Sequence, residues 1–386
     1  MKILLVHNYY QVRGGEDAVF ENEKAMLEGQ GHSVEIFVVH NNEFSHYSIF
    51  NKILMFPRII YNHKVGKKFF EIIKSKEFDI VHIHNFWPLI SPSILFVCNK
   101  QQQPWVQTVH NYRYIVPDAI LFLDDLSDNY LSIQKRSAKC FRNSYTLTFL
   151  YKLTAMLIRK SNVMKSGYGK LIVLNKFGFN LFSQIFDKNI LITKGNFIPD
   201  NEIYKCLKKE KGDFYLYLGR LSPEKGVDVL LESWDNNNSR LLIAGTGPEE
   251  EKLKYKYRNN KSIEFVGFIK GEKKYKLLAE AKSLIVPSIW HETFGLIILE
   301  AFYSNTPVIA SKVGGIPDLI EEMKTGILFE AGNVSDLSEK LKWCEEHPKE
   351  LKEMGKAGRL YAEENFSESK NYLQLMNIYS KVISKK

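Results

Sequence analysis

The stretch Ser283-Leu284-Ile285-Val286-Pro287-Ser288-Ile289-Trp290-His291-Glu292-Thr293-Phe294-Gly295-Leu296-Ile297-Ile298-Leu299-Glu300-Ala301 reads as one strand, loop and helix. Residues 283–286 form a short apolar run of buried-strand type, and Pro287, which has no N–H for a sheet ladder, ends it. Residues 294–303 can bury their apolar side chains together only as a helix. Glu292 is thereby set at the carboxyl end of a strand. The backbone N–H groups around Gly295 and Leu296 are left at a helix N-terminus, a ready site for an anion. Glu300, about two turns into the helix, is placed to accept hydrogen bonds from hydroxyls of a ligand whose phosphates sit at the helix start. Alone, the stretch also reads as an ordinary helix with two surface glutamates, so the rest of the chain decides.

A strand feeding a helix is the repeat of a wound parallel sheet, and the first half of the chain shows it again and again. Strands are expected at residues 3–7, 34–39, 80–84, 106–110 and 171–175, each apolar on both faces as a doubly covered sheet requires. Between the first two lies Gln11-Val12-Arg13-Gly14-Gly15-Glu16-Asp17-Ala18-Val19-Phe20, a glycine pair leading into a helix. Gly14 and Gly15 either let the backbone approach a ligand closely or make a plain tight turn. No G-x-G-x-x-G follows the strand, so the pair is not a dinucleotide fingerprint. The third and fourth strands run into Val81-His82-Ile83-His84-Asn85 and Thr108-Val109-His110-Asn111-Tyr112. His84 and His110 then stand at carboxyl strand ends, where open parallel sheets hold ligands, although a structural role is open to each. Residues 112–170 are irregular and then helical, with Phe141-Arg142-Asn143-Ser144-Tyr145 followed by an aromatic and basic helix at residues 149–160. Such a segment covers an acceptor groove, rests on an anionic membrane surface, or simply packs with its lysines in water.

Turn residues in Lys194-Gly195-Asn196-Phe197-Ile198-Pro199-Asp200, followed by a charged run at 205–211, mark a boundary. A second alternating series has strands expected at 214–218, 241–244, 263–266, 284–286, 308–310 and 326–329. The expected architecture is α/β, with two doubly wound Rossmann-like domains at residues 1–196 and 197–364 facing each other across a cleft, a common place for a ligand. From Pro348 the pattern is helical, and residues 365–386 are expected to return to the first domain as a clasp.

Composition narrows the class. At 386 residues, with 45% hydrophobic and 25% charged residues, the chain suits two or three globular domains rather than disorder. Cys98, Cys140, Cys206 and Cys344 are far apart without paired spacing, which suggests neither a disulfide framework nor a zinc site and fits a reducing, cytoplasmic setting. The opening Lys2-Ile3-Leu4-Leu5-Val6 is too short for a signal peptide, and no window approaches the roughly 20 apolar residues of a spanning helix. A net charge of +9 permits attraction to nucleic acid, an anionic membrane or a phosphorylated substrate. Nucleic acid is set aside because no recognisable binding module is present.

The second series carries polar groups at its strand ends. Its first strand runs into Gly219-Arg220-Leu221-Ser222-Pro223-Glu224-Lys225-Gly226. Arg220 is suited to gripping phosphate oxygens bidentately and Lys225 to adding a point charge, a pair that fits a diphosphate leaving group, though such residues are common near surface turns. The next strand ends at Gly245-Thr246-Gly247-Pro248, small residues that admit a flat ligand or make a turn. The third ends at Val266-Gly267-Phe268-Ile269, whose backbone is suited to reading the edge of a base.

Each part is weak, but together with the Glu-x7-Glu spacing of Glu292 and Glu300 the pattern resembles the retaining GT-B glycosyltransferases of family four, which transfer sugars from nucleotide-sugars without a metal. The resemblance runs from Arg13-Gly14-Gly15-Glu16 through Thr108-Val109-His110 to Gly314-Gly315-Ile316-Pro317-Asp318 and is strongest in the second half. It implies that Arg220 and Lys225, in the turn that starts at Gly219, clamp the diphosphate and stabilise the leaving charge. It implies that Glu300 holds the ribose hydroxyls and Glu292 the hydroxyls of the donor sugar. The amides around Phe294, Gly295 and Leu296 would meet sugar and phosphates, with Gly245, Gly247 and Phe268 also on the donor side. Gly15, with Gly14, would approach the diphosphate from the other domain, and His110 would orient or polarise the reacting sugar. The implied route is a front-face substitution aided by the leaving phosphate rather than a covalent intermediate, unlike the paired carboxylates of glycosidases. No cofactor and no metal are implied, in keeping with charge neutralisation by Arg and Lys and the lack of an Asp-x-Asp at a strand end. The donor is a UDP-, GDP- or similar nucleotide-sugar.

The acceptor side departs from relatives with the same opening loop, which often carry a cysteine-rich segment after the fourth strand; here residues 118–139 contain no cysteine and only Cys140 follows. A glycan or lipid-linked acceptor is expected, in bacterial surface polysaccharide synthesis (capsule, lipopolysaccharide or exopolysaccharide) at the inner face of the cell membrane. Two other readings share the fold, a nucleotide-sugar 2-epimerase and a donor-binding protein without catalysis. The Glu-x7-Glu and Arg220/Lys225 spacings fit transfer better than either.

Overall fold

The computed structural model describes residues 1–11, 13–41, 57–122, 141, 143–199, 211–234 and 239–384. Arg142, Cys140, Cys206, Asp200 and most of the charged run at 205–211 lie outside the described residues. The chain divides into two compact units, one made of Met1–Leu121, Asp125–Gly195 and Asn371–Lys386, the other of Phe122–Asp124 and Asn196–Lys370.

The first unit is built on a six-stranded parallel sheet. Its strands are β1 (Lys2–Tyr9), β2 (Ser33–His40), β3 (Ile80–Ile83), β4 (Trp105–Thr108), β5 (Gly169–Val173) and β6 (Leu191–Thr193), in the order β2-β1-β3-β4-β5-β6. The runs Ile3 to Val6 and Ile80 to Val81 are fully buried because helices cover both faces of the central strands. At β2 the expectation of two apolar faces fails: it is an edge strand, and Ile36 is 48% exposed. β6 adds a sixth strand that sequence alone did not single out.

Between β1 and β2 runs the Gly15–Gly29 helix, which buries Val19, Phe20, Met26 and Leu27 on one face, with Asp17 and Glu23 buried among them. The final helix, Glu368–Ile383, buries Asn371, Leu375, Ile378, Tyr379 and Val382 at helical spacing, and from Asn371 onward it belongs to the first unit.

The second unit has its own parallel sheet of β7 (Phe214–Leu218), β8 (Arg240–Ala244), β9 (Ile263–Gly267), β10 (Leu284–Val286), β11 (Val308–Ser311) and β12 (Gly326–Phe329). The order β12-β11-β10-β7-β8-β9 sends the chain to one side of β7 and then back to the other. The carboxyl ends of β7 and β10 thus flank a topological switch point, where doubly wound sheets open a crevice for ligands. Tyr215, Tyr217, Leu230, Trp234, Leu241, Ile243, Ile285 and Ile309 form its core. Among the described residues no helix is long and apolar enough to cross a membrane.

Candidate active site

In the second unit the strand ends are locked together by turns that only particular residues permit. After β7 the chain passes Arg220, which is exposed, and makes a short 3-10 turn at Pro223–Lys225. Gly226 closes the turn with φ 64°, and a methyl group there would come within 2.0 Å of the Pro287 carbonyl oxygen. Glycine therefore lets the turn lie against the end of β10, where the Ile289 N–H donates to the Glu224 carbonyl at 3.0 Å.

That contact brings Lys225 to Glu292. The Lys225 ammonium donates to Glu292 Oε1 at 2.6 Å, and Ser288 Oγ donates to the same oxygen at 2.9 Å. The ammonium also lies 5.0 Å from the centre of the Trp290 ring. Glu292 is only 8% exposed, so its carboxylate depends on these donors in place of water. Its backbone is gripped from the loop after β11: the Gly315 N–H donates to the Glu292 carbonyl at 2.8 Å. Gly314 has φ 58°, and a methyl group on it would reach within 2.6 Å of the Glu292 nitrogen.

The helix after this loop is Leu296–Tyr303, two residues shorter at its start than the apolar pattern suggests. Phe294 fits the apolar stripe, but its side chain is 2% exposed and packs edge-on to Phe366 at 5.7 Å. Gly295, at φ 91°, breaks the helical path before Leu296. Phe294 thus has only its backbone to offer a ligand, and at the helix start the Ile298 N–H donates to the Gly295 carbonyl at 2.9 Å, while the amides of Leu296 and Ile297 precede the first helical hydrogen bond. Glu300 accepts a hydrogen bond at Oε1 from Lys274, 2.8 Å away on the neighbouring Glu272–Glu280 helix. Sequence reasoning did not single out Lys274, one charge among several on a polar helix.

The glycines at the ends of β7 and β8 are explained first by the chain itself. Gly219 donates to the Ala244 carbonyl at 3.0 Å and Gly245 to the Gly267 carbonyl at 2.8 Å. A methyl group on Gly245, which has φ 145°, would come within 1.8 Å of the Gly219 oxygen, and one on Gly247 within 2.1 Å of the Leu221 oxygen. Close backbone packing requires both residues whether or not a ligand approaches. Phe268, just past β9, is 69% exposed and offers an aromatic face.

In the first unit β3 and β4 end before the histidines, so His84 and His110 sit on the loops beyond rather than in the strands. Their rings are nearly parallel, 18° apart with centres 5.3 Å apart, and meet through His84 Nδ1 and His110 Nε2 at 3.1 Å. Burial pushes both imidazoles below their ordinary range, His110 well below it with help from His84. That direction favours the neutral imidazole at pH 7 in both. Behind His84 lies a buried carboxylate, Glu23, with Oε2 3.1 Å from His84 Nε2 and Oε1 2.8 Å from the Lys194 ammonium. His82 completes the group through Thr108 Oγ1 at 2.8 Å and Tyr379 Oη at 2.7 Å. Ligand atoms of Glu23, His82 and His84 lie within 4.8 Å of one another, a spacing a divalent ion also uses. Lys194 already neutralises Glu23, so the cluster reads as an ion-paired network rather than a metal centre.

The glycine loop is positioned by a second pair. His7, in β1, meets Asp17 Oδ1 at 2.7 Å, and Asp17 Oδ2 accepts the Gly14 N–H at 2.9 Å. A methyl group on Gly14 would meet nothing within 4 Å, so space is open beside it, and its φ of −122° suits any residue. Glu16 accepts from Asn111 Nδ2 at 2.5 Å, and burial of its carboxyl pushes it above the usual carboxylate range. Sequence reasoning missed His7, Asp17, Glu23 and Lys194. The available signal was a pair of acidic residues, Asp17 and Glu23, on the apolar side of an amphipathic helix.

Residues 200–361 match the family model described as Glycosyl transferases group 1, and residues 13–155 the model described as Glycosyltransferase Family 4. An uncharacterized glycosyltransferase of Methanocaldococcus jannaschii is 25% identical over 99% of this chain and 99% of its own. Among solved structures, sucrose-phosphate synthase from Thermosynechococcus elongatus aligns over 100% of both chains with a TM-score of 0.72 at 17% identity. The HepE protein of Anabaena, solved with UDP-glucose, aligns over 98% of this chain and 99% of its own with a TM-score of 0.67 at 16% identity. The two family matches cover complementary parts of the chain, each sheet has the doubly wound order, and on these grounds the chain is a GT-B glycosyltransferase of the family-four type.

Proposed function

We propose that the chain is a retaining, metal-independent hexosyltransferase that moves a sugar from a nucleoside diphosphate sugar to a hydroxyl of a glycan or lipid-linked acceptor. The observation that carries this reading is the Lys225–Glu292 pair at the switch point of the second sheet, with the exposed Arg220 in the same segment after β7 and the Leu296–Tyr303 helix starting four residues after Glu292. Two cations and a helix N-terminus suit a diphosphate. The carboxylate on Lys225 suits sugar hydroxyls, and because it is ion-paired it adds little repulsion against the phosphates. Glu300 takes the ribose hydroxyls, its charge held in place by Lys274. The exposed Phe268 supplies an aromatic contact near the base.

In the proposed reaction the bond from the anomeric carbon to the diphosphate oxygen breaks and its electrons stay on the diphosphate. The acceptor oxygen bonds to the anomeric carbon from the same face, and its proton passes to the departing phosphate oxygen. Arg220 and Lys225 stabilise the charge that develops there, the role a metal ion plays in other phosphate chemistry. A UDP-glucose complex of a protein with the same fold supports a nucleotide-sugar donor.

The Tyr145–Lys160 helix supports contact with an anionic membrane. It exposes Tyr145, Phe149, Met156 and Leu157 beside Lys152, Arg159 and Lys160, the mixture of apolar and basic groups that lies on a lipid surface. A lipid-linked acceptor at the inner face of the membrane, in bacterial surface polysaccharide synthesis, fits that helix. The test is incubation of the purified protein with a panel of UDP- and GDP-sugars in the presence of a chelator. Release of nucleoside diphosphate from one of them, lost in Lys225→Ala, supports the reading; consumption of none, or sugar interconversion without transfer, defeats it.

A further inference from the structure

Glu23 belongs to the buried face of the Gly15–Gly29 helix and is 1% exposed. Its partner Lys194 spends all three N–H bonds, on Glu23 Oε1 at 2.8 Å, Asn371 Oδ1 at 2.8 Å and the Gly195 carbonyl at 3.3 Å. Burial opposes the charge on Glu23, but Lys194 together with His82 and His84 holds the carboxyl well below the usual range, so it is ionised.

The ionised Oε2 faces His84 Nε2 at 3.1 Å. The contact lies off the line of a good hydrogen bond. Even so, a ring lone pair pointed towards a carboxylate oxygen at that distance is repelled, whereas an N–H is attracted. His84 is neutral and has one ring proton, which the carboxylate draws to Nε2. His84 Nδ1 is then a lone pair, and it sits 3.1 Å from His110 Nε2. That approach is favourable only if His110 donates. His110 is neutral as well, so its Nδ1 carries the lone pair, and among the described residues no partner meets that atom. His82 Nδ1 also faces Glu23 Oε2, at 3.5 Å, but Tyr379 Oη is nearer to it at 2.7 Å, and the hydroxyls of Tyr379 and Thr108 accommodate either tautomer, so His82 does not set this order.

We propose that Glu23, acting through His84, holds His110 as its Nε2–H tautomer, so that His110 meets a hydroxyl of a ligand of the first unit as a hydrogen-bond acceptor at Nδ1. Glu23 and His84 are positioning residues. A polarising role for His110, which needs an N–H aimed at the ligand, is replaced by an accepting one. The identity of the hydroxyl-bearing ligand rests on the glycosyltransferase reading, while the tautomer is a property of the free protein.

The test is nitrogen-15 NMR of the ligand-free, full-length protein carrying labelled histidine, with His84→Phe and His110→Gln used for assignment. The expected spectrum at pH 7 has a proton on His110 Nε2 with scalar coupling across the hydrogen bond to His84 Nδ1, and His110 Nδ1 in the unprotonated range. A shared proton bound to His84 Nδ1, or two protonated nitrogens on His110, overturns the proposal. In Glu23→Gln, which keeps an oxygen for Lys194, both ring nitrogens should move to values between protonated and unprotonated. An unchanged spectrum in folded Glu23→Gln removes Glu23 from the account; if that variant does not fold, the wild-type coupling still decides. Failure of the chain to bind UDP or GDP defeats the donor reading and leaves this result standing, so the two are separable.

Discussion

Lys225 Nζ and Glu292 Oε1 lie 2.6 Å apart although their residues come from strand ends 67 positions apart in the sequence. The pair exists because the Pro223–Lys225 turn is laid on Pro287 through Gly226 and because Gly314 and Gly315 hold the Glu292 backbone. Each partner sets the charge the other presents. Removing the carboxylate frees Lys225 for phosphate, and removing the ammonium leaves a nearly buried carboxylate beside an anionic ligand.

The two ends of this pair therefore have opposite signatures. In Glu292→Gln, affinity for the bare nucleoside diphosphate is expected to hold or tighten while transfer falls by roughly a hundredfold, the scale of one preorganised polar group. In Lys225→Ala both affinity and transfer are expected to fall, affinity by about tenfold or more, as for a lost charge-assisted hydrogen bond. Calorimetric titration with UDP and GDP and a donor-consumption assay separate the cases. Weaker nucleotide binding in Glu292→Gln with unchanged turnover of bound donor contradicts the role given to Glu292.

Glu300 is expected to recognise ribose rather than phosphate. Glu300→Ala should weaken UDP or GDP by about tenfold to a hundredfold, the cost of about 1.5–3 kcal/mol for hydrogen bonds to a charged group. The same variant should bind the 2′,3′-dideoxy nucleotide as the wild type does. An equal loss for both nucleotides in equilibrium binding places Glu300 elsewhere.

Much of this was legible in the sequence, for identifiable reasons. Strands such as β7, β10 and β12 are apolar on both faces and bounded by turn residues, so their limits followed from the pattern alone. β6 was missed because it has three residues and follows directly on a 3-10 turn at Lys188–Ile190. Arg220, Lys225 and Glu292 were singled out because they follow strand ends, where parallel sheets hold ligands, and Glu300 by its spacing from Glu292. The Glu23 network, apart from His84, was not, because Glu23 and Lys194 are single charges in otherwise ordinary segments, paired across 171 positions. No local spacing encodes such a pair. The start of the Leu296–Tyr303 helix was misplaced for a related reason: Phe294 satisfies the apolar period, and only the left-handed Gly295 reveals that it lies outside the helix.

Gly314→Ala tests how tightly Glu292 is held. The new methyl group would collide with backbone atoms of Glu292 at a positive φ, so the neighbouring loop must shift. A destabilisation of about 1–3 kcal/mol is expected from the strain, read as a lower denaturant midpoint. Transfer should fall further than the folded fraction accounts for, with nucleotide affinity largely kept. Wild-type stability in Gly314→Ala would show that the contact is easily relieved.

The buried histidines make stability depend on pH. His82, His84 and His110 have folded values lowered by burial, so below the ordinary imidazole value of about 6.5 the unfolded chain binds more protons than the folded one. Their stabilising contribution is present above that pH and is lost as pH falls from there towards the folded values. Glu23, also lowered, acts further down: its contribution is present above the ordinary carboxylate range and disappears as pH falls through its folded value. Each histidine that stays neutral gives a slope of about 1.4 kcal/mol per pH unit. Urea titrations of wild type and His84→Phe between pH 7 and pH 5 should show a shallower loss in the variant. Equal slopes would mean that His84 takes up its proton in the folded state as readily as in the unfolded one.

On the proposed reading, the end of the second sheet grips a nucleoside diphosphate through cations of the chain. The most direct measurement is calorimetric titration of the full-length protein with UDP and with GDP in the presence of a chelator, beside the Lys225→Ala and Arg220→Ala variants. One of the two nucleotides is predicted to bind to the wild type under these conditions and to be weakened by about tenfold or more in each folded variant. Binding of neither nucleotide, or equal binding by wild type and both variants, contradicts the account.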